Sequence, residues 1–180
     1  GGYVLLTAAF LTEDLTRDYA RLFDWADRHA IAVALDTGWP IDDWTADNCA
    51  AALGWLARTR IALFNEIETT TLAGVDDPAA AARHLLAHMP ADAMVVVKRG
   101  PDGAIAVLSD GTIVTALAPK VTVVDTIGAG DVFNAAFLAS LAHGEPVATC
   151  LAAGTRVASH AISTQPRSYG GLSQSAETVR

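Results

Sequence analysis

The stretch Val123-Val124-Asp125-Thr126-Ile127-Gly128-Ala129-Gly130-Asp131-Val132-Phe133-Asn134 sets a glycine-rich turn between an apolar run and the start of a helical pattern. Glycine at 128 and 130 permits backbone conformations closed to other residues and lets an anion come close to the main-chain amides. Amides of Gly128, Ala129 and Gly130 aimed by a helix N-terminus would form an anion hole. A carboxylate at Asp131 is ill placed as a phosphate ligand, yet well suited to take a proton from an attacking hydroxyl. The pattern reads as a phosphate-transfer site, with an ordinary helix N-cap acid as the competing account of Asp131.

Two other nucleotide signatures fail here. A dinucleotide-binding fingerprint needs a third glycine where Phe133 stands, and a later strand ending in an acid, which does not follow. A P-loop needs Gly-Lys-Ser or Gly-Lys-Thr, and neither occurs in the chain.

Two further segments join the first: Asn65-Glu66-Ile67-Glu68, and Val95-Val96-Val97-Lys98-Arg99-Gly100-Pro101-Asp102-Gly103. In this order the three resemble the ribokinase-like carbohydrate kinases, also called the phosphofructokinase-B family. The resemblance covers nearly the whole chain but only the C-terminal part of the family. It implies a three-layer α/β sandwich with a mostly parallel central sheet. Members carry a further N-terminal portion with the first strands, much of the sugar site and usually a β-stranded lid. That portion, and an initiator Met, are missing from this sequence, which therefore reads as a fragment or an incomplete reading frame.

The resemblance further implies ATP-dependent phosphorylation of a sugar or sugar-like hydroxyl, with Asp131 as general base and the Gly128 to Gly130 amides as anion hole. Asn65 and Glu68 would help place Mg²⁺ and the nucleotide phosphates, partly through water; hard oxygen ligands and few protein contacts suit magnesium. A helix cap with a surface glutamate is the competing account of that pair. Lys98, Gly100 and Gly103 match a strand and turn that run beside the nucleotide, with lysine as a point charge on phosphate, although Pro-Asp-Gly makes a turn in any protein. Thr155 falls where the family's adenine wall lies. Asp125 and Thr126 match the monovalent-cation (K⁺) site of many members, while Ser163 to Gly170 only loosely resembles the arginine- and glycine-rich turn expected there. Two other readings stand beside this one: a non-catalytic nucleotide-binding module, and a vitamin-precursor kinase of the same superfamily.

Composition points to an ordered, folded chain. The 180 residues are 52% hydrophobic and 18% charged, enough for one substantial core, and the sequence predicts a single domain over 1–180. A net charge of −8 without a basic stripe argues against nucleic acid as a partner. The opening Gly1 to Thr7 lacks a basic leader and soon meets Glu13-Asp14, so it reads as a strand, and the location as cytoplasmic with no membrane contact. Oligomeric state does not follow from these residues. The two cysteines, Cys49 and Cys150, are too few for a disulfide framework, and His84 and His88 lack a third metal ligand nearby.

The elements that must position these groups alternate between strand and helix. Strands are expected at Tyr3 to Ala8, Ile31 to Leu35, Ile61 to Phe64, Met94 to Lys98, Ala104 to Leu108, Thr112 to Thr115 and Val121 to Val124. Helices are expected at Glu13 to His29 capped by Thr12, from Thr45 to Ala57, from Asp77-Pro78 to His88, at Ala129 to His143 ended by Gly144, and from Pro146 to Ile162. Such alternation means helices covering both faces of a mostly parallel sheet, where ligands bind beyond the C-terminal strand ends. Trp39 and Trp44, flanking Pro40 and two aspartates at one such end, suit either sugar stacking or packing of their own loop. The missing strands should leave an unpaired sheet edge.

Overall fold

The computed structural model describes residues 2–169; Gly1 and residues 170–180, including Gly170 at the end of the arginine-containing turn, lie outside the described residues. The chain forms two compact units, one of Gly1–Arg99 with Ile105–Val114, the other of Gly100–Ala104 with Thr115–Arg180.

In the first unit, β1 (Gly2–Thr7) leads into two short helices, α1 (Glu13–Arg17) and α2 (Tyr19–Arg28), before β2 (Ile31–Asp36). Then follow α3 (Ala46–Leu56), β3 (Ile61–Asn65), α4 (Glu66–Ala73), α5 (Pro78–Leu86) and β4 (Met94–Lys98). β5 (Ala104–Leu108) and β6 (Ile113–Ala116) complete a six-stranded sheet in the order β1-β2-β3-β4-β5-β6. The first four strands pair in parallel, with Gly2 opposite Ile31, Ala34 opposite Ile61 and Asn65 opposite Lys98. The links from β4 to β5 and from β5 to β6 are too short for a crossover, so these strands return antiparallel. The fold is the mixed-edge, mostly parallel α/β architecture that the sequence implies, and β1 stands at the end of the strand order.

Strand residues two apart face the same side. Val33 and Leu35, Ala62 and Phe64, Val95 and Val97, and Ile105 and Val107 form one core with Tyr19, Phe23, Leu56, Leu72 and Leu85 from the helices. The alternate positions Ala34, Ile61, Leu63, Val96 and Ala106 are buried too, as expected where both sheet faces are covered. Local signals set the helix starts. Thr45 accepts a bond from Asn48 N–H, Asp77 accepts one from Ala80 N–H, and Pro78 sits in the first turn, where its missing N–H has no helical partner.

Three expectations need correction. The helix foreseen over Glu13 to His29 breaks at Asp18, and Thr12 gives no cap, because its hydroxyl donates back to the carbonyls of Ala8 and Ala9. Leu15 is exposed, so α1 lacks the buried stripe that holds α2 through Tyr19, Phe23 and Ala26. No strand forms at Val121 to Val124. The valines at 121, 123 and 124 are exposed, and the N–H groups of Val124 and Asp125 both turn to Ile162 O, at 2.8 and 3.2 Å, instead of joining a ladder. Finally, α4 is a helix absent from the expected elements, although a helix cap is the competing account of Asn65 and Glu68.

The second unit is built on α6 (Ala129–Ala142) and α7 (Val147–Ile162), which pack on each other, and Phe133, Phe137, Cys150, Leu151, Val157 and Ala161 are buried. Gly154 makes that contact close: a Cβ there would lie 2.7 Å from the Phe133 ring. Cys150 is buried, with its thiol raised above the usual range chiefly by that burial, and neither cysteine is in a disulfide.

Candidate active site

In the first unit the relevant side chains gather at the C-terminal strand ends. Asn65 ends β3 and caps α4, its Oδ1 accepting from Glu68 N–H at 2.8 Å, while Glu68 Oε2 accepts from Asn65 N–H at 2.9 Å. The Asn-x-x-Glu segment is thus a capping box, which satisfies two otherwise orphan donors at once. Glu68 is no surface residue, however: only 4% of it is exposed. Burial pushes its carboxyl above the usual range, with Asp36 adding to the shift, while the Asn65 N–H and the Lys98 ammonium oppose it.

Lys98 ends β4 directly opposite Asn65, and its ammonium donates to Asp36 Oδ2 at 2.7 Å. The two side chains are 13% and 10% exposed, so this is a nearly dry ion pair. Beside it, Arg99 Nε donates to Glu66 Oε2 at 2.9 Å. Neither pair was foreseen from sequence; the available signal for the first was an aspartate and a lysine ending two parallel apolar strands. In the loop after β2, Trp44 stacks edge-on against Phe10 and Trp39 edge-on against Trp44. Trp44 is therefore part of the loop's packing, and Trp39, 45% exposed, is the outer ring of that ladder.

In the second unit, Gly128 is the N-cap of α6 at φ 70°, a left-handed conformation that glycine adopts without strain. The helix behind it runs fourteen residues and carries exposed Asp131 in its first turn. Of the three amides, that of Ala129 donates to Thr126 O at 3.1 Å, closing the turn before the helix. The Asp125 carboxylate is engaged as well: Oδ1 accepts from Ile127 N–H at 3.0 Å and Oδ2 from Arg167 at 2.6 Å. Arg167 also donates to the carbonyls of Asp125 and Ile127. A monovalent cation would need these same oxygens, so the residues as placed do not fit one.

Gly100 and Gly103 close a short 3₁₀ turn, with Gly103 N–H donating to Gly100 O at 3.1 Å. At Gly103 (φ 87°) a Cβ would meet Ala116 O at 2.0 Å, so the close approach of backbone alone demands glycine. Thr155 is buried in α7, and its hydroxyl bonds the carbonyls of Leu151 and Ala152 at 3.1 Å each.

The pfkB carbohydrate kinases match residues 1–169. The chain belongs to this family. A 5-dehydro-2-deoxygluconokinase from Bacillus velezensis is 38% identical over 100 residues, a stretch covering 56% of this chain and 29% of that protein. Among solved structures, fructokinase from Vibrio cholerae O395 with fructose, ADP and calcium superposes with a TM-score of 0.80 at 16% identity, over 92% of this chain and 56% of that one. Aminoimidazole riboside kinase from Salmonella enterica, with aminoimidazole riboside and an ATP analogue, gives 0.73 at 21% identity, over 90% of this chain and 56% of that one. At these identities the two structures establish the ribokinase-like fold. The chain spans little more than half the length of these solved relatives. No described helix is long and apolar enough to cross a membrane.

Proposed function

We propose that this pfkB chain carries the phosphoryl-transfer machinery of an ATP-dependent kinase acting on a hydroxyl of a sugar or sugar-like compound. The observation that carries the reading is the left-handed Gly128 cap opening a long helix with an exposed carboxylate, Asp131, in its first turn. Backbone amides at such a terminus stabilise the charge that develops on the transferred phosphoryl group. Asp131 takes the proton from the acceptor hydroxyl as that oxygen bonds to the γ-phosphorus, while the bond to the β,γ-bridging oxygen breaks and ADP leaves.

The donor set also suits magnesium. Glu68 offers a carboxylate with several lone-pair sites, only one of them given to Asn65 N–H, and Asn65 adds a hard amide oxygen. Mg²⁺, when bound, would neutralise charge on the nucleotide phosphates. Lys98, Gly100 and Gly103 border the nucleotide in this reading, and Thr155 stands at the adenine.

The test is ADP formation from Mg-ATP against pooled sugars, sugar acids, nucleosides and vitamin precursors, with wild type beside Asp131→Asn. Dehydro-deoxy sugar acids head the panel, because the curated relative is named for one. Acceptor-dependent turnover that falls about 10² to 10⁴-fold in the variant supports the reading. Nucleotide binding without turnover on any acceptor would instead identify a non-catalytic nucleotide-binding module.

A further inference from the structure

Arg167 stands apart from every role given so far. Its guanidinium reaches back forty residues in sequence to the turn before α6, where Nη1 donates to Ile127 O and Nη2 to Asp125 Oδ2 at 2.6 Å and to Asp125 O at 3.3 Å. Two carbonyls and a carboxylate thus converge on one cation. A Cβ built on Gly128 would lie 3.6 Å from Arg167 Nη1 and 3.9 Å from Asp131 Oδ2, so the guanidinium ends beside the helix cap, which the candidate base also approaches. A single exposed ion pair would matter little. This one differs in its bonding: Arg167 is 24% and Asp125 52% exposed, but the planar fork engages three acceptors at once, and charge-assisted bonds of that type are the stronger ones.

We infer that Arg167 is the built-in counter-charge of the Asp125 turn, occupying the oxygens that a free alkali cation would otherwise bridge and holding the Gly128 cap in its left-handed form. The residue acts through the turn, as a positioning residue for the anion hole. The inference rests on the proposed phosphoryl transfer only for the anion that the turn serves. The chain then needs no monovalent cation, because its own arginine supplies the charge, and removing the arginine creates a requirement for one.

The experiment compares wild type, Arg167→Ala and Arg167→Lys in equal concentrations of potassium chloride and choline chloride, reading ADP affinity and melting temperature. Wild type is expected to behave alike in both salts. Arg167→Ala should bind ADP about tenfold more weakly and melt earlier in choline chloride, with potassium restoring much of both. Arg167→Lys, which keeps the charge but loses the fork, should fall between. A wild type that itself gains affinity or melting temperature from potassium overturns the inference, as does Arg167→Ala indistinguishable from wild type in choline chloride. Absence of ADP binding by wild type in either salt would count against the proposed function instead, and the melting comparison across the two salts would still decide the role of Arg167.

Discussion

The Lys98 ammonium stands 2.7 Å from Asp36 Oδ2, tying the end of β4 to the end of β2 across the intervening β3. In a parallel sheet these ends form the floor on which ligands rest. An ion pair with so little water around it is seldom worth much against an apolar pair of the same size, yet losing one partner is expensive. Its value here is geometric: it fixes the spacing of the strands that flank Asn65.

Lys98→Met should therefore destabilise the fold by about 3 kcal/mol, since Asp36 is left buried without this partner. The double variant Asp36→Leu/Lys98→Met should recover most of that loss. Urea denaturation of the four proteins in a mutant cycle measures the coupling. A Lys98→Met protein as stable as wild type would show that the pair does not hold the strand ends.

Glu68 gives a pH test whose sign is fixed by its raised carboxyl. A pKa higher in the folded than in the unfolded chain means that the folded state holds the proton longer. This contribution to stability is fully present below the unfolded value of about 4.5 and is lost as pH rises through the raised folded value. Glu68→Gln keeps an oxygen for the Asn65 N–H and has no charge to bury. Its stability should fall less than that of wild type between about pH 4.5 and neutrality, while magnesium-dependent turnover should suffer. Chemical denaturation across that range, beside magnesium titrations of activity, separates the two effects. Parallel pH curves for the two proteins would refute the burial argument.

For Gly103 the packing and ligand accounts predict different outcomes. Gly103→Ala would drive a methyl into Ala116 O and strain a positive φ, so a loss of about 2 kcal/mol or more is expected without any nucleotide present. Were the glycine needed only for ligand approach, the empty protein would melt as wild type does.

Gly128→Ala is the milder case. Space exists for the methyl, with its nearest neighbour 3.6 Å away, so the cost is the left-handed backbone, about 1 to 2 kcal/mol. If the alanine relaxes by turning its amide away, one anion-hole donor is lost as well. Turnover should then drop by roughly 10² to 10³-fold, far beyond the effect on stability. Comparing denaturation with kcat distinguishes the two contributions.

The alternation of strand and helix was legible because most elements carry their own boundary signals: Thr45 and Asp77 accept first-turn bonds, and β2 to β5 are uninterrupted apolar runs. Val121 to Val124 carries the same apolar signature, but its backbone bonds go to Ile162, a long-range partner that composition cannot announce. Thr12 misled for a related reason: the residue type suits a cap, yet a hydroxyl can also donate backward, and only the fold decides. At the candidate site, residue types were readable while partnerships were not. The Asn65 and Glu68 spacing reads equally as ligand pair and capping box, and the structure shows that it makes the box. Pairings such as Lys98 with Asp36 or Arg167 with Asp125 join residues far apart in sequence, so no local pattern reveals them.

The bare patch that Gly154 leaves on α7 reaches further than packing. Phe133, which rests there, lies two residues beyond Asp131 on the same helix, so the seat of the helix that carries the candidate base depends on an empty spot on its neighbour. A lineage that fills the spot with even one methyl must displace a ring, and any shift of the helix that follows is passed to its first turn. Drift in rate or acceptor preference could thus arise with every residue of the site unchanged, and a search for such changes should begin at 154.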